Sequence, residues 1–302
     1  MLDEQRRIIS ETRALNPAAV TAAAAARKRR SLLGPSGRLM VIAADHPARG
    51  VLAAGDRPMA MANRADMLDR ILVALSRPGV DGILGSADII EDLLLLGALD
   101  DKVVLGSMNR GGLPGSAFEI DDRFTAYNAD SIAAAGLNGG KMLLRMDPDD
   151  PATASALEAC GNAVTELAQR ELVAVIEPFM VTRTPRKRAN DLSAEAVIRS
   201  ISIAAGLGAT SAYKWLKIPV VDEMERVAEA FTLPALLLGG EVGDEPDEMF
   251  DRWRRALSLP NIRGLVAGRN LLYPPDDDIA AAVDIAVSLL RPTPDRRRRD
   301  HH

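Results

Sequence analysis

Short apolar runs recur along the chain: RLMVIAAD (38–45), GVDGILG (79–85), KVVLG (102–106), GGKMLLRMD (139–147), ELVAVIEPF (171–179), SAYKWLKIPV (211–220), LPALLLGG (233–240) and IRGLVAG (262–268). Gly, Pro or Asp bounds each run. Between most of them lie amphipathic stretches such as NRADMLDRILVAL (63–75) and DLSAEAVIRSISIAAGLG (191–208). Continuous apolar runs are what strands of a parallel sheet covered on both faces show. Eight such units over about 250 residues predict an α/β protein with a (β/α)8 barrel. A doubly wound open sheet ranks second, since it usually needs fewer units. Residues 3–32 are rich in Ala, Arg and Glu, are interrupted by Pro17, and end before GPSG (34–37). They predict an extra N-terminal helical segment. The expected layout is a helical extension over 1–36, a barrel over 37–292, and a charged, proline-punctuated tail over 293–302. The extension could cover the barrel bottom or reach a neighbouring subunit.

Composition narrows the partners. A length of 302 residues suits one barrel domain. The 47% hydrophobic and 26% charged content is ordinary for a globular chain. A net charge of -5 argues against a nucleic-acid partner, and 3% aromatics leave few stacking platforms. The single cysteine, Cys160, allows no disulfide within the chain and points to a reducing cytoplasm. Cys160 falls in a helical pattern and reads as a small buried thiol, not a nucleophile. No apolar run approaches the ~18 residues of a membrane span, and MLDEQRRIISETR carries no apolar signal core. A cytoplasmic protein without membrane partners is expected. Barrels of this kind often assemble, so a homo-oligomer is an expectation too.

In such a barrel the chemistry sits where strands end. The first run ends in Asp45 and His46, and the third leads to Arg110. The fourth carries Lys141 and Arg145, the fifth Glu177, and the sixth ends near Lys217. The last two end in Gly239–Gly240 and Gly268–Arg269. Charges of both signs at one mouth suit a polar, anionic substrate. Strand residues alternate faces, so only one of Lys214 and Lys217 points inward. Lys217, just before Pro219, takes the inner face. Lys214 then faces the helix layer, its stem reaching to water. An inward Lys217 is either structural, paired with Asp45 or Glu177, or a Schiff-base nucleophile. The nucleophile must be neutral; burial and a nearby cation, Lys141 or Arg145, lower its pKa from ~10.4. The glycines either cradle a phosphate with backbone N–H groups or merely make tight turns. His301 and His302 lie in the tail, which leaves His46 as the only core histidine, so no metal site is expected. Beside Asp45, His46 reads as a hydrogen-bonded structural residue. No dinucleotide fingerprint, P-loop or nucleophile elbow appears, and no cofactor is expected.

WLK at the end of the sixth run, GG after the seventh and AGRN after the eighth resemble the lysine-dependent class I aldolases. These include deoxyribose-phosphate aldolase, tagatose-bisphosphate aldolase and archaeal-type fructose-bisphosphate aldolase. AADHP (43–47) is similar to their first-strand aspartate motif, and GGKMLLRMDPDD (139–150) with VIEPFM (175–180) resembles the tagatose-bisphosphate branch. The likeness covers roughly residues 38–290 and is nearest to the actinobacterial deoxyribose-phosphate-aldolase-like group associated with inositol catabolism. It implies Lys217 as the imine lysine, with Lys214 the alternative because it stands nearer the usual spacing from Gly208–Ala209. It implies Asp45 for proton transfer or orientation, Glu177 as acid/base, and Lys141 as a cation beside the imine or phosphate. Gly239, Gly240, Gly268 and Arg269 would hold phosphate. The implied reaction is cleavage of a phosphorylated keto sugar or sugar acid. The best single substrate is 5-dehydro-2-deoxygluconate 6-phosphate, giving dihydroxyacetone phosphate and malonate semialdehyde. Arg110, with Arg183 and Arg186, is placed to meet a carboxylate, and Arg145 is a further binding candidate. The alternatives are a phosphosugar isomerase or epimerase using Asp45 and Glu177, and a non-catalytic phosphosugar-binding barrel.

Overall fold

Each apolar run becomes a strand, and the strands close on themselves. The computed structural model describes residues 3–183, 188–240 and 246–290. Strands β1 (Leu39–Ala43), β2 (Gly82–Gly85), β3 (Val103–Ser107), β4 (Gly139–Met146), β5 (Val173–Arg183), β7 (Lys214–Ile218), β8 (Ala235–Leu238) and β9 (Ile262–Ala267) pair in parallel. The β4–β5 pairing shuts the ring. This is a (β/α)8 barrel, with helices between strands and two further helices, Asp3–Leu15 and Ala18–Ala26, ahead of it. One short strand joins from outside the pattern. β6 (Arg188–Asn190) folds back antiparallel on the end of β5, pairing Val181 with Asn190. β5 is thereby longer than the run that predicted it.

Alternation along each strand separates two apolar layers. Leu39, Val41 and Ala43 of β1 join Leu84, Val103, Leu105, Val175, Trp215 and Val266 inside the barrel. Met40 and Ile42, with Ile83, Val104, Leu216 and Ile218, face the surrounding helices. The helices start where side chains cap them: Asn63 accepts from Ala65 and Asp66 N–H, and Ser193 from Ala196 N–H. Gly264 has φ 149° and passes so close to β1 that a Cβ would sit 1.9 Å from Leu39 O. Only glycine fits there.

The N-terminal segment is helical and interrupted at Pro17, as expected, but its helical part ends at Ala26. Past Ala26 it runs as irregular chain beneath the barrel. Arg27 donates to the carbonyls of Lys102 (2.9 Å) and Gly136 (2.6 Å). Arg30 pairs with Asp81 at 2.9 Å, and Leu32 and Leu33 pack against the inner apolar layer. The segment therefore packs under its own barrel, at the end where strands begin. The tail falls outside the described residues. Among those described, no helix is long and apolar enough to cross a membrane.

Candidate active site

The alternation that buries Val41, Leu105, Val175 and Trp215 continues upward, and at the strand ends it delivers Asp45, Ser107, Lys141, Glu177 and Lys217 to the same inner face. The result is an unbroken row of charges. Lys217 Nζ lies 2.8 Å from Glu177 Oε1. The other oxygen of Glu177 contacts Lys141 Nζ, which is 3.4 Å from Asp45 Oδ2. That same Asp45 oxygen accepts from Arg110 Nη2 and from Ser107 Oγ (3.0 Å). All five charged side chains are buried, Lys141 at 1% exposure and Lys217 at 4%.

Three cations face two carboxylates in this row. Burial opposes ionisation of both acids, yet the cations prevail. Arg110 and the two lysines hold Asp45 well below the usual carboxylate range, and Lys141 and Lys217 bring Glu177 down to about 2. The surplus positive charge falls on Lys141. Burial and the neighbouring Arg110 outweigh Asp45 and Glu177 and lower its amine to about 8. His46 is half-buried; desolvation, with Arg269, Lys217 and Arg110 close by, holds it neutral and lowers it to about 3. Its Nδ1 has no hydrogen-bond partner, so it is not the hydrogen-bonded structural histidine that the sequence suggested.

Lys214 points the other way. It is buried as well, but instead of reaching water its Nζ donates to Ala205 O (2.7 Å) and Leu207 O. Those carbonyls lie at the C-terminal end of the helix Ala194–Ala205, where a cation is favourable.

A cavity of about 1280 Å³ opens above the charged row. Asp45, Arg110, Lys141, Glu177 and Lys217 line it, as do Gly239, Gly240, Gly268 and Arg269. Gly240 takes φ 76°, and a Cβ on Gly268 would meet Ala43 O at 2.2 Å, so both turns require glycine. Residues 241–245, which continue the loop after β8, lie outside the described residues. The β5–β6 hairpin forms part of the wall through Arg188, Ala189 and Asn190.

The arginines divide sharply. Arg145 gives Nε to Asp122 Oδ2 (2.9 Å) and Nη2 to Asp122 Oδ1 (2.8 Å), and pairs with Glu119 at 3.2 Å. Arg110 is committed to Asp45 and Ser107. Arg183 pairs with Asp147 (2.7 Å) and Asp150 (3.3 Å) and does not line the cavity. Arg186 lies outside the described residues. Sequence reasoning missed Arg49, which lines the cavity and donates Nε to Gly112 O at 3.0 Å. Cys160 is buried in the helix Ala152–Gln169, its thiol pushed up to about 12 by burial, as befits an inert core residue. Among the described residues no group of three or more His, Cys, Asp or Glu side chains could hold a metal ion.

Fold and site together define a barrel with a buried ionic row at its mouth, and the fold is shared with a solved Schiff-base-forming fructose-1,6-bisphosphate aldolase. An archaeal fructose 1,6-bisphosphate aldolase shares 17% identity over 90% of this chain and 98% of that chain, with a TM-score of 0.62. The fructose-bisphosphate aldolase from Slackia heliotrinireducens shares 16% over 84% of this chain and 85% of its own, at 0.60. Such identities establish a common fold. Membership is set more narrowly: residues 37–287 match the Cgl0159-like family, and the chain belongs to it. The crystal structure of Cgl0159 from Corynebacterium glutamicum is 54% identical over 95% of this chain and 97% of that one, with a TM-score of 0.93. None of the curated proteins matches the chain.

Proposed function

We propose that the protein is a class I aldolase in which Lys217 forms a Schiff base with the ketone of a phosphorylated sugar or sugar acid. The observation that carries this reading is the buried Lys217 amine, on the inner face of β7, in contact with a carboxylate that bridges to a second buried amine. The neutral amine attacks the carbonyl carbon, and the carbinolamine loses water to give a protonated imine. That imine is an electron sink. The bond between the carbons α and β to the imine carbon then breaks as the β-hydroxyl loses its proton. The β carbon leaves as an aldehyde, the enamine is reprotonated at the α carbon, and water releases Lys217.

Glu177 is the fitting proton acceptor because it touches Lys217, whereas Asp45 is tied to Arg110, Ser107 and Lys141. Its basicity rises during turnover. Converting Lys217 from an ammonium with three N–H donors to an iminium with one loosens the ion pair that depresses it. Lys141, its amine lowered to about 8, gives a proton to solvent and then takes up, through Glu177, the proton that Lys217 sheds. Asp45 orients the substrate. The glycine loops after β8 and β9, with Arg269, receive the phosphate. The particular substrate we favour is 5-dehydro-2-deoxygluconate 6-phosphate, cleaved to dihydroxyacetone phosphate and malonate semialdehyde, a reaction that belongs to inositol catabolism. A two-carboxylate isomerase fits less well, since both acids are held ionised and neither offers a proton at neutral pH.

The test is borohydride reduction in the presence of dihydroxyacetone phosphate, followed by peptide mapping. A stable adduct on Lys217 is expected, absent in Lys217→Met and retained in Lys214→Met. An adduct on Lys214 would move the chemistry to the helix layer. No adduct with this or related phosphosugars would favour the isomerase or binding-barrel alternatives.

A further inference from the structure

The turn after β1 holds a guanidinium that nothing in the mechanism above uses. Pro47, Ala48 and Arg49 form a single 3-10 turn whose next residue, Gly50, adopts the left-handed conformation at φ 73°. Gly50 N–H donates to Pro47 O at 2.9 Å, closing the turn. Pro fixes the entry and Gly the exit, so Arg49 is presented from a stiff support. Its Nε is held by Gly112 O, on the loop after β3. That carbonyl also accepts from Arg145 Nη2 at 3.3 Å, so two guanidinium groups converge on one oxygen. Gly112 has no room to be otherwise, since a Cβ there would lie 2.5 Å from Arg145 Nη2 and 2.3 Å from Glu119 O.

The two arginines differ in one respect. Arg145 is neutralised by Asp122 and Glu119. Arg49 has no carboxylate partner among the described residues, and its Nη2 is buried without a hydrogen bond. A half-buried guanidinium whose buried Nη2 lacks a hydrogen bond, beside Arg145 and Arg110, is costly unless an anion completes it. It lines the cavity above the charged row, on the side where Gly112 and Arg145 stand.

We infer that Arg49 anchors a second oxyanion of the substrate, carried on the aldehyde half released by cleavage, while the phosphate of the ketone half sits at the glycine loops. The inference rests on the aldolase reading for what the anion belongs to. The anion is a carboxylate or a second phosphate, and the acceptor series below tells them apart. A planar fork discriminates an anionic aldehyde from an uncharged one of the same length, which an apolar wall could not do.

The experiment runs the reaction in the condensing direction, with dihydroxyacetone phosphate and three acceptors: malonate semialdehyde, glyceraldehyde 3-phosphate and propanal. The readout is the ratio of kcat/KM for the better charged acceptor to that for propanal. Replacing one charge-assisted contact is expected to shrink that ratio on the order of 10–100-fold in Arg49→Met. Arg49→Lys, which keeps the charge and loses the fork, should recover part of it, and it stands in if Arg49→Met fails to fold. The charged acceptor whose rate collapses identifies the anion. A ratio unchanged in Arg49→Met, whether or not both rates fall, would overturn the inference, for a residue that only ties the two loops together affects all acceptors alike. If the wild-type protein traps no imine and condenses no acceptor, the aldolase reading fails by itself. Arg49 is then judged by calorimetric titration with malonate: at least tenfold weaker binding in Arg49→Met upholds the anion subsite, and equal binding overturns it.

Discussion

Glu177 touches both lysine amines, so its replacement separates chemistry from support. Glu177→Gln keeps the shape and removes the charge. Loss of a general acid/base is expected to lower kcat by about 10²–10⁴-fold, measured by steady-state cleavage of the phosphorylated substrate. The same substitution tests the electrostatics. Glu177 has a folded pKa near 2, below its ordinary value of 4.5. The stability it contributes is therefore present above about pH 4.5 and is lost as pH falls towards 2, where the folded state must finally take up the proton. Acid unfolding of Glu177→Gln should show a shallower pH dependence across that interval, smaller by up to one proton, than the wild type. At this same scale the sequence was readable in part. Period-2 alternation put Lys217 inside and Lys214 outside, and both lysines face as it required. What it could not show was where Lys214 ends, because the Ala205 and Leu207 carbonyls that receive it belong to another element. Arg49 was harder still. In DHPARG it resembles any loop arginine, and its placement depends on the carbonyl of a glycine 63 residues away.

Among the elements, the loop after β3 does more than connect. Asn109 clips it to β4 by accepting from Leu143 N–H at 2.7 Å and donating to Leu143 O at 2.5 Å. Arg145 then clamps it through Asp122, which is fully buried. Removing the cation strands a carboxylate in a dry site. Arg145→Met is expected to destabilise the fold by about 3–5 kcal/mol, read from denaturant midpoints at unchanged slope. The eight barrel strands were visible because each is a continuous apolar run between turn formers. β6 was not, because its residues, RAN, follow a charged stretch and it exists only as a partner for the overlong β5.

At the scale of the whole molecule, the two ends of the barrel have opposite characters. One end collects charge; the other is packed from beneath by the segment that follows the first two helices. Arg27 is the fastening there, its guanidinium satisfying carbonyls from two connections, just before β3 and before β4. Arg27→Met leaves those carbonyls without donors and should cost roughly 2–4 kcal/mol, measurable as a lowered Tm with the borohydride adduct of Lys217 still formed in the folded protein. Composition could place this segment outside the barrel rhythm. It could not say which end it meets, since that is settled by contacts with Asp81, Lys102 and Gly136, all far along the chain.

The odd count of charges at the mouth has a thermodynamic corollary. Burial and the neighbouring Arg110 lower the Lys141 amine to about 8, and one cation in the row lacks an anion. An incoming anion supplies it, and the amine then holds its proton more tightly. Ligand arrival and proton uptake thus become one linked event around neutral pH. The barrel mouth is in this sense a proton buffer whose set point moves with occupancy: apparent affinity for an anionic ligand weakens as the solution is made alkaline, even where the ligand itself does not titrate.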